Sequence, residues 1–290
     1  EAVYCGGRLN MEHLFQKREG GGRGYLAAVK RYARLLYVFA RFSLMSQLEY
    51  RLNFAAGVAV ETGWMLIKLL YVAVVYRAGV NIGVLTPDHI LLFIGIYVLM
   101  TGFYMLYYGN FTSVSRMVRE GELDMYLVKP ISLQFFVTMK RLDLALLLPD
   151  FVAGTIMIGL GWHRAGLPVN AWAIAGFLFF LMCGNLLTYS LFLIPNLLCF
   201  WIVASRGIAD ITAALWDFNN MPQLIYGKWM QRIGTFILPV FVITNFPGLF
   251  LMGQLSPGMM AWGVISPVLF FFISRGIWKK AVKNYSSASS

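Results

Sequence analysis

Glu61 and Lys68 stand seven residues apart inside an apolar stretch, and Asp150 follows Pro149 in the middle of another. On a helix, seven residues return to nearly the same face, displaced by about 10 Å along the axis, too far for the two charges to pair directly. Each then needs a partner on another helix or a water-filled cavity, because hydrocarbon does not solvate charge. The chemistry open to such groups is relay of an ion or proton along a transport path. The bland alternative is interhelical hydrogen bonding, or a Lys68 whose stem snorkels towards the headgroups. Asp210 and Asp217 raise the same question in a helical but poorly apolar segment.

A second constellation is the island RMVREGELDMYLVKP, residues 116–130, set between two long apolar runs. A polar helix pinned between membrane spans has to lie in water at the bilayer face, where another protein can grip it. Met117, Val118, Leu123 and Leu127 offer apolar contacts, and Arg119, Glu120, Glu122, Asp124 and Lys129 offer ion pairs. Gly121 bends such a helix, and Pro130 stops it before the next span. On its residues alone, the island serves equally well as a solvated loop whose basic residues keep it cytoplasmic.

Other chemistries find little support. No G-x-x-x-x-G-K-[ST] phosphate loop occurs, and the glycine-rich run 20–24 reads as a flexible linker. His13, His89 and His163 are scattered, with no carboxylates spaced to complete a metal or catalytic set. Cys5, Cys183 and Cys199 have neither metal-site nor disulfide spacing.

The elements that must position these groups follow from composition. Of 290 residues, 59% are hydrophobic and only 13% charged, with a mean hydropathy of +0.67. Soluble domains carry about 25% charged residues, so the expected solvent is a lipid bilayer and the expected fold all-α. The net charge of +11 does not imply a nucleic-acid partner, because the basic residues cluster beside spans. No secretory signal is expected, since the first apolar stretch comes late, behind a long basic segment.

A polar tail at 1–24 precedes an amphipathic helix at 25–51. Lys30, Arg31, Arg34 and Arg41 share one arc there, with Ala28, Val29, Tyr32, Leu36 and Phe39 opposite, as in a helix lying at the headgroups. The membrane domain covers 52–285. Spans are expected at about 52–76, 90–108, 142–160, 171–203 and 260–277, each with about the 20 residues a crossing needs except 171–203, which is long enough to tilt or to kink at Pro195. Hydropathy alone puts a fifth span at 233–252, while 207–226 has helical pattern. One of the two, not both, gives six crossings with both termini cytoplasmic and most of the 24 Lys and Arg inside.

With this layout, the chain resembles the membrane subunits of type-2 ABC transporters, particularly the drug- and polysaccharide-export-like permeases, over most of residues 25–283. The residues that carry the likeness are Arg119, Glu120, Gly121, Glu122, Leu123 and Asp124, followed by Leu127, Lys129 and Pro130. Beyond span four they are Ser205 and Arg206, Met221, Pro222 and Gln223, then Ile237, Leu238 and Pro239, and Phe246 and Pro247. The resemblance implies an N-terminal elbow helix at 25–51 and a cytoplasmic coupling helix between spans two and three that docks on an ATPase. It also implies a fifth span at 207–226 and re-entrant outer helices at 228–252. ATP and Mg would be bound by separate ABC ATPase subunits, none by this chain, and a second permease, identical or paralogous, would complete an export path in the plasma (inner) membrane. The departure is the poorly apolar fifth span, whose Asp210 and Asp217 must face protein or water. The rival reading is a secondary transporter driven by an ion gradient through Asp150 and Glu61, for which the sequence shows no inverted repeat.

Overall fold

Glycines at heptad spacing decide how this bundle closes. The computed structural model describes residues 22–79, 85–202 and 206–285, so most of the expected polar tail at 1–24 lies outside the described residues. The chain forms α1 (Gly22–Glu49), α2 (Arg51–Ala78), α3 (Pro87–Arg119), α4 (Asp124–Leu127) and α5 (Leu133–Met139). After these come α6 (Leu144–Arg164), α7 (Ala171–Leu197), α8 (Arg206–Asp217), α9 (Lys228–Arg232), α10 (Val240–Leu251) and α11 (Pro257–Asn284). Gly95 and Gly102 on α3 pack against Ile158 and Asp150 of α6, and Gly154 and Gly161 on α6 pack against Leu99 and Leu92 of α3. A Cβ on Gly154 would lie 2.6 Å from the Leu99 nitrogen, and one on Gly161 2.7 Å from that of Leu92. Without those Cβ atoms the two backbones touch, which is how helices gain van der Waals contact where lipid supplies no hydrophobic drive.

α3 is the axis of the molecule. Its apolar window is 78% buried, against 17% for α2 and 22% for α11, which therefore lie at the periphery. Among the described residues, α2, α3, α6, α7 (continued by a 3-10 turn to Phe200) and α11 are the five helices long and apolar enough to cross a membrane. Each overlaps one of the apolar stretches 52–76, 90–108, 142–160, 171–203 and 260–277, with different ends.

The segment 206–252 differs from expectation. α8 has 12 residues, about 18 Å of helix, well short of a hydrocarbon core of about 30 Å. The continuous helix expected over 207–226 is therefore absent. After Asp217 the chain makes 3-10 turns at Phe218–Asn220 and Gln223–Ile225. Between them Pro222 holds Met221 extended, at φ −127° and ψ 150°, and helix cannot pass. Next, α9 with its π-helical continuation (Ile233–Ile237) meets α10 at a bend of 102°, the geometry of a broken span or a re-entrant loop. The break falls at Leu238 and Pro239, where the proline lacks an N–H for the helix ladder.

Contacts locate these pieces. α8 follows Phe200, whose ring meets Trp278 near the end of α11. The buried stripe of α8 begins with Ile208 and ends eight residues later at Trp216, stacked 4.4 Å from Tyr104 halfway along α3. α10 runs antiparallel to α7, with Ile243 against Gly184 and Phe250 against Gly176 and Trp172 at the start of α7. Residues 206–251 together thus carry the chain from the α3–α4 end of the bundle to the Pro87 end. α11 then returns, its first turn capped by Ser256.

Candidate functional site

The island at 116–130 folds as a tight hook. α3 ends at Arg119, and Gly121, with φ +72°, turns the chain through a conformation that a side chain resists. Arg116 reaches Glu120 at 3.6 Å and Glu122 at 3.3 Å, and the Arg119 guanidinium donates to Ser115 at 3.0 Å. Such exposed ion pairs contribute at most about 1 kcal/mol each, so they shape the hook more than they hold it. Its anchor is apolar: Met117 and Leu123 are 0% and 1% exposed, turned into this chain and not outward. The apolar side chains open to a partner are instead Met125 and Val128, at 61% and 84%. The spacing of apolar residues in a helix cannot say which face its own chain will cover.

The rest of the hook is held from several sides. Lys129 lies over the Tyr126 and Phe136 rings, at 5.2 and 4.5 Å. Lys140 donates to the Tyr126 hydroxyl at 3.2 Å and to the Met117 sulfur. Leu127 packs half-buried against the core, while the Pro130 carbonyl accepts from Arg31 of α1. α1 continues as a splint: the Tyr32 hydroxyl accepts from the Ser132 N–H at 3.1 Å, and Phe39 meets Phe136 edge-on at 5.5 Å. The Ser43 hydroxyl accepts from the Leu142 N–H at 3.0 Å, and Gln47 bridges Leu142 and Ala145. At the far end of the chain Tyr285 lies beside Asp124. Burial, with that carboxylate adding to it, pushes its phenol above the usual tyrosine range.

The structure also gathers the charges of the apolar stretches. Glu61 on α2 and Asp150 on α6, 6% and 3% exposed, lie beside each other and interact as a pair. The Asp150 Cβ is what a side chain at Gly102 would strike, at 2.9 Å, so the α3–α6 glycine seam fixes the position of the pair. Lys68 does not snorkel. Its ammonium donates to Asn220 at 2.9 Å and lies 4.7 Å above the Tyr97 ring, within the field of Asp217. Glu61 and Lys68, seven residues apart, thus find separate partners on other elements.

Around the break between α8 and α10 lies a polar cluster that the sequence reading had not singled out. The Thr244 hydroxyl donates to the Asn219 amide oxygen at 3.3 Å, Asn245 donates to Thr244 at 3.2 Å, and the Gln223 N–H donates to Asn245 at 2.7 Å. Its only sequence signal is the appearance of Asn219, Asn220, Thr244 and Asn245 within apolar runs. On α8 itself, Ile208, Thr212 and Trp216 are buried, while Asp210, Ile211, Ala214 and Asp217 lie on the outward face. Among the described residues no group of three His, Cys, Asp or Glu converges to hold a metal.

The chain matches the family described as ABC-2 family transporter protein over residues 62–289. The comparisons with curated proteins and with solved structures return no match. The matched region begins in α2 and runs past α11, taking in the hook, the glycine seam and the broken segment between α8 and α10. With five apolar helices of crossing length inside or overlapping that region, this chain belongs to the ABC-2 transporter family as a multi-pass transmembrane permease.

Proposed function

We propose that this permease is the membrane subunit of an ATP-driven exporter. Separate ATPase subunits bind ATP and Mg, grip α4 from the cytoplasm and drive the bundle through it. A second copy, or a paralogue, completes the substrate path. Both termini lie in the cytoplasm, in the plasma (inner) membrane, and 228–252 dips in from the outer side, with α8 and the turns after it serving as the fifth crossing. The observation that carries the reading is the hook: Met125 and Val128 protrude from a segment tied into α1, α3 and α5. A protruding apolar pair on a rigid base suits a handle, because force applied there reaches α3, the axis of the bundle.

The test is copurification from native membranes in a mild detergent. An ATPase should accompany the wild-type permease and be lost from the Met125→Asp/Val128→Asp variant, which alters only exposed positions and should retain its elution profile. An ATPase retained undiminished by that variant would remove α4 as the docking element, and none with either would remove the ATP-driven reading. The buried Glu61–Asp150 pair gives a gradient-driven transporter its one foothold. In that case transport would collapse with an uncoupler and survive ATP depletion, the reverse of the expected pattern.

A further inference from the structure

A cavity of about 420 Å³ opens on the flank of the bundle between α5, α7 and α11, towards the end where α3 meets α4. That volume lies within the range of small-molecule sites. Its polar side carries Gln134, Asn185, Tyr189 and Arg275, and no carboxylate lines it; Met182 and Phe271 belong to its apolar wall. Arg275 precedes the Lys279, Lys280 and Lys283 cluster by only one turn, so it stands at the edge of the apolar stretch of α11, where headgroups would begin.

The hydrogen bonds in this cavity all run one way. Arg275 donates to the Gln134 side-chain oxygen at 3.3 Å, and Gln134, itself only 4% exposed, donates to the Tyr189 hydroxyl at 3.3 Å. The Thr138 hydroxyl donates to the Gln134 carbonyl at 2.8 Å, which leaves it to accept from Tyr189, 3.1 Å away. On the opposite wall the Tyr107 hydroxyl donates to the Asn185 side-chain oxygen at 3.0 Å. Both side-chain amide oxygens, of Gln134 and Asn185, thereby already accept a bond. Left to donate towards the cavity are the Asn185 amide N–H groups and most of the five guanidinium N–H groups of Arg275, for which the described residues supply no carboxylate. A buried glutamine tethering the guanidinium distinguishes this arginine from one that merely snorkels, because the tether aims the planar fork into the cavity.

We infer that this cavity binds an amphiphile with an anionic head group. The head group accepts from Arg275 and Asn185, and the apolar chain lies along Met182, Leu186 and Phe271, of which Met182 and Leu186 are exposed at the mouth. Binding stands independently of the ATP-driven reading; the further step, that this amphiphile is the cargo, rests on it.

The probe is radiolabelled dodecyl phosphate, bound to the full chain in phosphatidylcholine nanodiscs with empty discs subtracted. Saturable binding is expected, weakened at least about tenfold by Arg275→Gln and by Asn185→Ala, since each removes a donor to a charged acceptor. Arg275→Lys, which keeps the charge, should retain part of the affinity. Neutral dodecyl maltoside should fail to compete, and inorganic phosphate should compete only weakly. Displacement by phosphatidic acid placed in the disc identifies a lipid head group as the source, and its failure a soluble amphiphile; both support the site. No saturable binding, equal affinity in Arg275→Gln, or equal competition by dodecyl maltoside or inorganic phosphate overturns it. If Arg275→Gln does not fold, the Asn185→Ala and Arg275→Lys affinities decide. Because no ATPase is present, loss of binding here leaves the copurification result untouched, and failure there leaves this one untouched.

Discussion

Glu61 and Asp150 are the residues whose surroundings do most to define their role. They interact with each other across α2 and α6, deep in the membrane part of the bundle. One oxygen of Asp150 is buried without a hydrogen-bond partner among the described residues. A half-satisfied polar pair in a nonpolar interior is costly, and removing one member strands the other. Glu61→Leu alone should therefore lower the thermal midpoint of the detergent-solubilised chain, and Asp150→Leu likewise, each by about 1–3 kcal/mol of destabilisation. The double variant should recover much of the loss, since two apolar side chains satisfy one another. Fluorescence-detected size-exclusion after heating reads this directly. Midpoints that fall additively in the double variant would mean that the two carboxyls do not act as a pair, and a double variant that is stable but inactive would assign them to transport.

Among elements, the α3–α6 contact carries the architecture. Gly154 has Leu99 backbone atoms where its Cβ would be, at 2.6 and 2.9 Å, whereas Gly159, on another face of the same helix, has nothing within 4 Å. Gly154→Ala must push two backbones apart and should destabilise by about 1–3 kcal/mol, as overpacking does. Gly159→Ala should be neutral within about 0.5 kcal/mol. The same thermal assay separates them, and equal midpoints for the two variants would show that the seam is not tight. This contrast also marks what the sequence holds and hides. The five helices of crossing length among the described residues are legible because each is a long apolar run. The glycine spacing is equally visible, but it means close approach only when α3 and α6 are known to be neighbours. α8 is illegible for the opposite reason: its buried positions Ile208, Thr212 and Trp216 form a single stripe, its outer face is acidic, and Pro222 cuts it off. The pairing of Glu61 with Asp150 joins residues distant along the chain, so no local pattern carries it.

At the scale of the whole molecule, that acidic face of α8 is the feature a single chain leaves incomplete. Asp210, Ala214 and Asp217, at i, i+4 and i+7, share one side of a helix whose other side is packed on the bundle, yet α8 lies level with the crossing helices α3 and α7. Carboxylates at that depth are tolerated against protein or water and not against lipid tails. A second permease set against α8 would provide both, with a polar path between the two subunits. A single cysteine at Ala214, in a chain with Cys5, Cys183 and Cys199 replaced by serine, should then cross-link in native membranes to a second copy, or to a paralogue of different mass. A cysteine at Ile156, exposed on α6, should remain uncross-linked. Cross-linking at both positions would indicate random collision, and none at Ala214 would place lipid or water, not a partner, against α8. In the last case the acidic face would have to be covered from within the chain, by movement of α9 and α10 across it.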